Sequence, residues 1–228
     1  ALPLYEKTHS MGEFVFDFSW ADAYDRLGLE YYPKLVNAIP FTPVAGPRAL
    51  PTAPEAMALH EKLLKAALAL MAREGYSSFH SLFPDEPLAR RWAVATGLKP
   101  RIACQFRWHN RGFADFEAHL STFTADKRKK IRRERRRIDE SGLHIEVWTG
   151  QDMTPARWDA IYPLLANTFH RHGHQPYLNK TFFETISAPL GHQMVLFVAL
   201  DGNKPVGVAL AFRDATTLYG RYCGARGP

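Results

Sequence analysis

Apolar and polar positions alternate with two periods along this chain. A period of two at residues 1–5 and 13–18, around the turn His9-Ser10-Met11-Gly12, predicts a hairpin. Residues 31–41, 76–83, 101–109, 143–148, 206–212 and 217–222 read as further strands, and the apolar run 194–200 as a buried one. Asp201-Gly202-Asn203 is a hairpin turn. Helical spacing is clearest at 55–74, where Leu59, Leu63, Ala66, Ala67 and Leu70 share a face and Gly75 supplies the stop. Asp85 before Pro87 starts a helix that runs over 88–96 and ends at Gly97. Residues 20–27, 113–120, 125–141, 155–171 and 178–186 complete the helices, with Trp158, Ile161, Leu165 and Phe169 on one face. Prolines and glycines make 43–54 a shaped loop. Trp20, Trp108, Trp148 and Phe212 are expected in the core. Strands and helices alternate, so the expected class is α/β with mixed sheets.

Composition changes this picture in one place. The net charge is +6, but residues 127–137 (KRKKIRRERRR) hold nine cations and one anion. The rest of the chain therefore carries −2, and the high pI describes one helix only. Nine like-charged pairs at i,i+3 and i,i+4 face two offsetting ones, a net strain of roughly 1.4–3.5 kcal/mol. Cations at the N-terminal end also oppose the helix dipole. Thr124, Ile131 and Ile138, seven apart, form a seam that would dock the helix. An anionic partner relieves the remaining strain, through Lys127, Arg128, Lys130, Arg132 and Arg133 among others. The number of cations suits tRNA or an anionic membrane surface better than a single cofactor phosphate.

Two distant cysteines, Cys104 and Cys223, form no disulfide or ligand pattern. No signal peptide is visible and no apolar run is long enough to span a bilayer. The expected location is cytoplasmic. His170, His172 and His174 form an HRHGH cluster, but Gly173 interrupts their helix and no acid or cysteine completes a metal set, so no metal is expected.

Several motifs carry a resemblance. They are Pro40-Phe41-Thr42-Pro43-Val44 with Gly46-Pro47-Arg48, and Gln105-Phe106-Arg107-Trp108. Lys127-Arg128-Lys129 with Ile131-Arg132-Arg133-Glu134-Arg135, and Pro176-Tyr177-Leu178 with Phe182-Phe183, extend it. Together they resemble an uncharacterised bacterial family labelled peptidoglycan biosynthesis/recognition or predicted N-acyltransferase. That family is related to the Fem-type aminoacyltransferases, which are tandem GNAT-like domains.

The resemblance implies an enzyme that moves an acyl group from acyl-CoA to an amine, with acyl-CoA as co-substrate. An alternative is aminoacyl-tRNA as donor, and a non-enzymatic one is a polyanion-binding module of the same fold. It implies tandem GNAT-like halves joined by a basic helix: 1–110, a helical linker 111–142, and 143–228. The family's proteins run longer, and this chain starts without Met and stops at Ala225-Arg226-Gly227-Pro228, so it reads as a fragment. In such a fold Glu13, Asp17, Tyr219 and Tyr222 fall on central hairpin strands, where a carboxylate takes a proton from the amine and a tyrosine protonates the leaving group. His170 is a further candidate base. Gly46 and Arg48 occupy the place of the donor's pyrophosphate, but Pro47 lacks an N–H and makes the loop a poor cradle.

Overall fold

The structure is a computed structural model and describes residues 1–52 and 56–226. Pro54 and Glu55, where the sequence ends a loop and starts a helix, lie outside the described residues, as do Gly227 and Pro228. The class is α/β, with one mixed and one antiparallel sheet. The chain divides into two compact units, Ala1–Arg107 and Trp108–Pro228.

The first unit contains β1 (Tyr5–Lys7), α1 (Phe18–Arg26), β2 (Lys34–Asn37), α2 (Met57–Glu74), β3 (Phe79–Ser81) and α3 (Glu86–Thr96). Its sheet has the order β1-β2-β3, antiparallel then parallel, with Tyr5 opposite Val36 and Val36 opposite His80. Side chains alternate across a strand, so Lys34 and Val36 share one face of β2, and Leu35 and Asn37 the other. Leu35 and Phe79 pack with Leu64, Ala67, Leu88 and Trp92 of α2 and α3. The opposite face carries Tyr5, Lys7, Lys34, Val36 and His80, which the register sets side by side. Asp85 caps α3 by accepting from the Leu88 N–H at 2.9 Å, as the sequence predicts.

Three expectations fail in this unit. The strand expected at residues 1–5 runs over Tyr5–Lys7 and pairs with β2 instead of forming a hairpin. Residues 13–18 are no strand: Phe14 and Phe16 take positive φ (62° and 50°), and α1 starts at Phe18. The period of two is real, but its polarity is inverted. Glu13 and Asp17 are buried, whereas Phe16 is 74% exposed and Phe18 and Trp20 are exposed too. The acids turn inward because a buried lysine awaits them. Residues 101–109 also form no strand, although Ile102, Cys104, Phe106 and Trp108 alternate with Arg101, Ala103, Gln105, Arg107 and His109. Alternation supplies a face but no hydrogen-bond partner for the backbone. Ile102 and Phe106 are 96% and 99% exposed, and Trp108, expected in the core, is exposed as well.

The second unit contains α4 (Phe116–Leu120), α5 (Ala125–Glu140), β4 (His144–Thr149), α6 (Pro155–Arg171), α7 (Lys180–Leu190), β5 (Met194–Asp201), β6 (Lys204–Arg213) and β7 (Leu218–Ala225). The strands form an antiparallel sheet in chain order, β4-β5-β6-β7. Met194, Leu196, Val198 and Leu200 point from β5 into a core with Trp148, Trp158, Ile161, Leu164, Leu165 and Phe183, against which Phe212 packs. The approach of α6 is close: a Cβ at Gly224 of β7 would meet the Leu164 carbonyl oxygen at 1.9 Å. The predicted turn holds, with Gly202 at φ 58°. The helical segment 111–142 belongs with this unit.

The docking seam of α5 is a further correction. No α5 residue is buried; Thr124 and Ile138 are exposed and Ile131 is half-buried. The helix is held instead by its cations. Lys127 Nζ lies 4.8 Å from the Phe123 ring centroid and the Arg135 guanidinium 4.3 Å from that of Phe116. Arg132 pairs with Glu117, and Arg128 donates to the Phe123 carbonyl at 2.5 Å.

Candidate functional site

The polar face of the first sheet centres on Lys34, which is fully buried. An ammonium has three donors. Those of Lys34 reach three oxygens: Ser10 Oγ at 2.8 Å, Glu13 Oε2 at 2.8 Å and Asp17 Oδ2 at 2.6 Å. The Tyr31 hydroxyl donates to the same Asp17 oxygen at 2.7 Å, and Tyr32 shares a hydrogen bond with Ser10 at 2.8 Å. The rings of Tyr31 and Tyr32 lie 5.3 and 5.6 Å from the ammonium. Inverting the polarity of 13–18 is therefore what keeps a buried cation paired.

Two carboxylates share one ammonium, and their environments differ. Burial pushes the Asp17 carboxyl up, but hydrogen bonds from Lys34 and Tyr31 and the Lys34 charge prevail and hold it down at about 2. Burial pushes Glu13 up, and Lys34 offsets this only in part, so its carboxyl stays above the ordinary glutamate range. Tyr31 is pushed upward by burial and by Asp17, which keeps its proton on. His80 is pushed down to about 4 by burial and the Lys34 charge, so it is neutral; its Nε2 meets Ser78 Oγ at 2.9 Å. The two carboxylates are thus separated: Asp17 stays ionised well into acid, and Glu13 takes a proton at higher pH than Asp17.

Glu13 also reaches a ligand-sized space. It lines a cavity of about 340 Å³ whose walls include Tyr5, Val36, Ile39, Phe41, Leu82 and Phe83, with Glu6 and Lys7 alongside. Lys7 donates to the Met11 carbonyl at 3.1 Å, and Glu6 accepts from Tyr76 at 2.7 Å. Glu13 is only 6% exposed, and its second oxygen, Oε1, has no hydrogen-bond partner. Asp17 Oδ1 is buried without a partner as well, so each carboxylate of the cluster keeps one unpaired oxygen enclosed by protein, a costly arrangement. Phe41 and Phe83 both adopt positive φ (55° and 53°), and the Phe41 ring lies so close to Gly12 that a Cβ there would be 2.5 Å away. Strained backbone at two wall positions shapes the cavity.

The remaining sequence candidates lie elsewhere. His170, at the end of α6, is exposed, as are His172 and His174. Tyr219, on β7, donates to Asp214 at 2.9 Å. Tyr222, also on β7, packs against the second core, and burial pushes its phenol up. These three are not part of the Lys34 cluster, and Glu13 and Asp17 belong to a loop and a helix start rather than to hairpin strands. Gly46 donates its N–H to the Phe83 carbonyl at 3.1 Å. Arg48 is buried and donates to the carbonyls of Leu82, Pro47 and Val44 at 2.5, 3.1 and 2.6 Å. Both thus tie their loop to residues 82–83, and the bonded N–H groups are not available to a phosphate. On α5, Lys130 sits 3.9 Å from Glu134, while Lys129, Arg133, Arg136 and Arg137 are exposed.

Sequence reasoning reached Glu13 and Asp17 but missed Lys34, Ser10, Tyr31, Tyr32 and His80. One signal was present: a lysine within the apolar stretch Lys34-Leu35-Val36, following two tyrosines. Among the described residues no group of three or more His, Cys, Asp or Glu is arranged to hold a metal ion, and no helix is long and apolar enough to cross a membrane. The family model FemAB-like, described as peptidoglycan biosynthesis/recognition, matches residues 1–227. No curated protein matches the chain.

Proposed function

The chain belongs to the FemAB-like family of peptidoglycan biosynthesis/recognition, and from this premise we propose that it transfers an acyl group to an amine in peptidoglycan-related metabolism. The observation that carries the reading is Glu13: a buried carboxylate with one oxygen unpaired, its proton affinity raised, beside a ligand-sized cavity. An amine arrives largely as an ammonium and is a nucleophile only after losing a proton. The Glu13 carboxylate accepts that proton, and a pKa raised above the ordinary glutamate value makes it a better base. The freed nitrogen attacks the acyl carbonyl carbon. The C–N bond forms, backbone N–H groups stabilise the oxyanion, and the bond to the carrier breaks as its thiol or hydroxyl leaves with a proton.

Tandem GNAT-like halves belong to this proposal. The antiparallel run of strand, two helices and three strands from β4 to β7 supports it. Acyl-CoA is the simplest donor for such a fold. One observation favours the second reading, aminoacyl-tRNA. The 16-residue α5 is about 24 Å long, and its exposed cations lie all around it, which suits a long polyanion better than one CoA. The Gly46 N–H and three of the five N–H donors of Arg48 are already bonded to backbone carbonyls, which weakens the case for a CoA pyrophosphate there.

The test supplies the purified protein with donors labelled on the acyl group, as acyl-CoA and as aminoacyl-tRNA, and a peptidoglycan stem peptide bearing a free amine. Label should move to the peptide, and Glu13→Gln should lower kcat/KM on the order of 100-fold or more. A steep log–log salt dependence of donor binding supports tRNA, and a shallow one acyl-CoA. Absence of transfer from either donor overturns the proposal.

A further inference from the structure

Aromatic rings and cations meet on the surface of α4 and α5, although α5 itself contains no aromatic residue. The rings come from the residues before it. His119 of α4 is surrounded by Trp108, Phe113, Phe116 and Phe123, with ring centroids 5.4, 5.1, 6.0 and 5.1 Å away. Two of these rings stay open to solvent: Trp108 is 63% exposed and Phe116 41%. Rings packed around a common neighbour lose little freedom when a ligand arrives, so the cost of ordering them is already met within the fold. Cations adjoin the same cluster, the Arg135 guanidinium over Phe116 and the Lys127 ammonium over Phe123. Open rings next to guanidinium groups suit a ligand that carries flat aromatic groups and negative charge in one molecule. We infer that the α4–α5 surface binds a single-stranded nucleic acid, with bases stacking on Trp108 and Phe116 and the phosphodiester backbone following the cations of α5.

The arrangement around α5 selects a flexible strand over a flat surface. Successive residues of an α-helix are turned by roughly 100°. Arg128, Arg132 and Arg135 contact the Phe123 carbonyl, Glu117 and Phe116, so they share the side that faces α4. The exposed Lys129 and Arg136 follow about 80–100° round from Arg128, and Arg133 and Arg137 about 140–180°. A bilayer resting on the rings would leave the far cations unmet, whereas a strand that bends at each phosphate passes from the rings round the helix. A duplex keeps its bases stacked on one another and offers none to Trp108 or Phe116. Six of the nine cations are arginines, whose planar forks hold phosphate oxygens in pairs. The acids beside the rings are engaged: Glu117 pairs with Arg132, and Asp115 accepts from the Ala118 N–H at 2.7 Å. Such binding is independent of acyl transfer and of the Lys34 cluster.

The experiment follows the whole chain by fluorescence anisotropy with dye-labelled oligouridylate and oligothymidylate of about 12 nucleotides. An RNA duplex of the same length and phosphatidylglycerol vesicles serve as competitors. A single strand should bind more tightly than the duplex at equal salt; either one supports the inference, and the tighter of the two names its source. Trp108→Ala/Phe116→Ala should weaken the single strand on the order of 10-fold or more with its salt slope unchanged. Trp108→Phe/Phe116→Tyr, which keeps both rings, should bind like the unaltered chain. If the alanine pair does not fold, Trp108→Ala alone gives the same comparison at the more exposed ring. Lys129→Gln/Arg136→Gln should do the reverse, lowering the log–log salt slope by about 0.7 for each phosphate no longer neutralised. Three results overturn the inference: equal affinity for strand and duplex, a folded alanine variant that binds as tightly as the unaltered chain, or binding to vesicles without binding to oligonucleotides. No acyl donor or amine enters the assay, so its failure leaves the acyl-transfer reading standing, and failure of transfer leaves this binding to be read by itself.

Discussion

The second unit buries an apolar sheet face beneath α6 and α7, with Met194, Leu196 and Val198 fully enclosed. In the first unit, the corresponding central strand begins with a fully buried lysine. Of the eight buried polar or charged residues among those described, seven lie in the first unit: Ser10, Glu13, Asp17, Lys34, Asn37, Arg48 and His60. The second has only Ser187, which accepts from the Trp158 indole at 3.0 Å. The strand lengths follow the same division. β1 to β3 have three or four residues each, whereas β5 to β7 have eight to ten. One unit is therefore stabilised mainly by area removed from water, and the other depends to a large extent on specific hydrogen bonds among groups that are costly to bury singly. The second arrangement is weak as a core and informative as a site.

Removing the cation separates the two regions most sharply. Lys34→Met strands two buried carboxylates and should lower the stability of the first unit by about 3–5 kcal/mol. Reduced amide-exchange protection across β1 to β3 would show it. Lys34→Met/Asp17→Asn should recover part of that stability, because only Glu13 is then left without its cation. If the single variant is as stable as the double, the polar cluster is not what holds this sheet.

Packing is the second region's weak point. Gly224→Ala places a methyl 1.9 Å from the Leu164 carbonyl oxygen, a backbone atom that cannot swing aside. α6 must move off β7, at a cost of about 1–3 kcal/mol in denaturant unfolding. An unchanged midpoint would show that the helix yields freely.

Acid should weaken the first region. His80, pushed down to about 4, binds fewer protons folded than unfolded, so its contribution is lost as pH falls from about 6.5 to 4. Asp17, held at about 2, adds a further loss between about 4 and 2. Glu13 acts the other way: its contribution is present at low pH and disappears as pH rises through its elevated pKa. After allowance for partial exposure, the His80 part is about 2 kcal/mol, and His80→Gln should flatten the slope between pH 6.5 and 4 in urea titrations. A slope that survives this substitution assigns the loss to another group.

The smallest loss of stability is expected at α5. Replacing the exposed Lys129, Arg133, Arg136 and Arg137 by glutamine should cost no stability in unfolding, since nothing buried is touched and like-charged neighbours are removed. The same change should reduce the log–log salt slope of polyanion binding by about one for each phosphate the helix no longer neutralises. A large drop in stability would mean that these cations hold the fold rather than face a partner.

Local sequence was enough wherever local rules act alone. Asp85, Pro87 and Gly97 bound α3 through capping chemistry contained in the helix itself. Apolar periodicity gave α6 to the residue, and the run 194–200 gave β5, since both bury one continuous apolar face. The α/β class followed from that order, and the family resemblance is borne out by the family model that matches residues 1–227. Periodicity could not say which side of an alternation faces inward. At residues 13–18 the ordinary rule puts phenylalanines inside, but Lys34, seventeen residues after Asp17, reverses it by drawing two carboxylates to 2.8 and 2.6 Å. It could not supply a partner strand for 101–109, nor a surface for the α5 seam, because both depend on what another part of the chain presents. The sequence thus determined where elements begin and end, through caps, turns and apolar runs. Only the tertiary structure decided that Glu13 and Asp17 share one buried ammonium and that one Glu13 oxygen is left over, because the low dielectric that makes such a cluster obligatory exists only once the chain has closed around it.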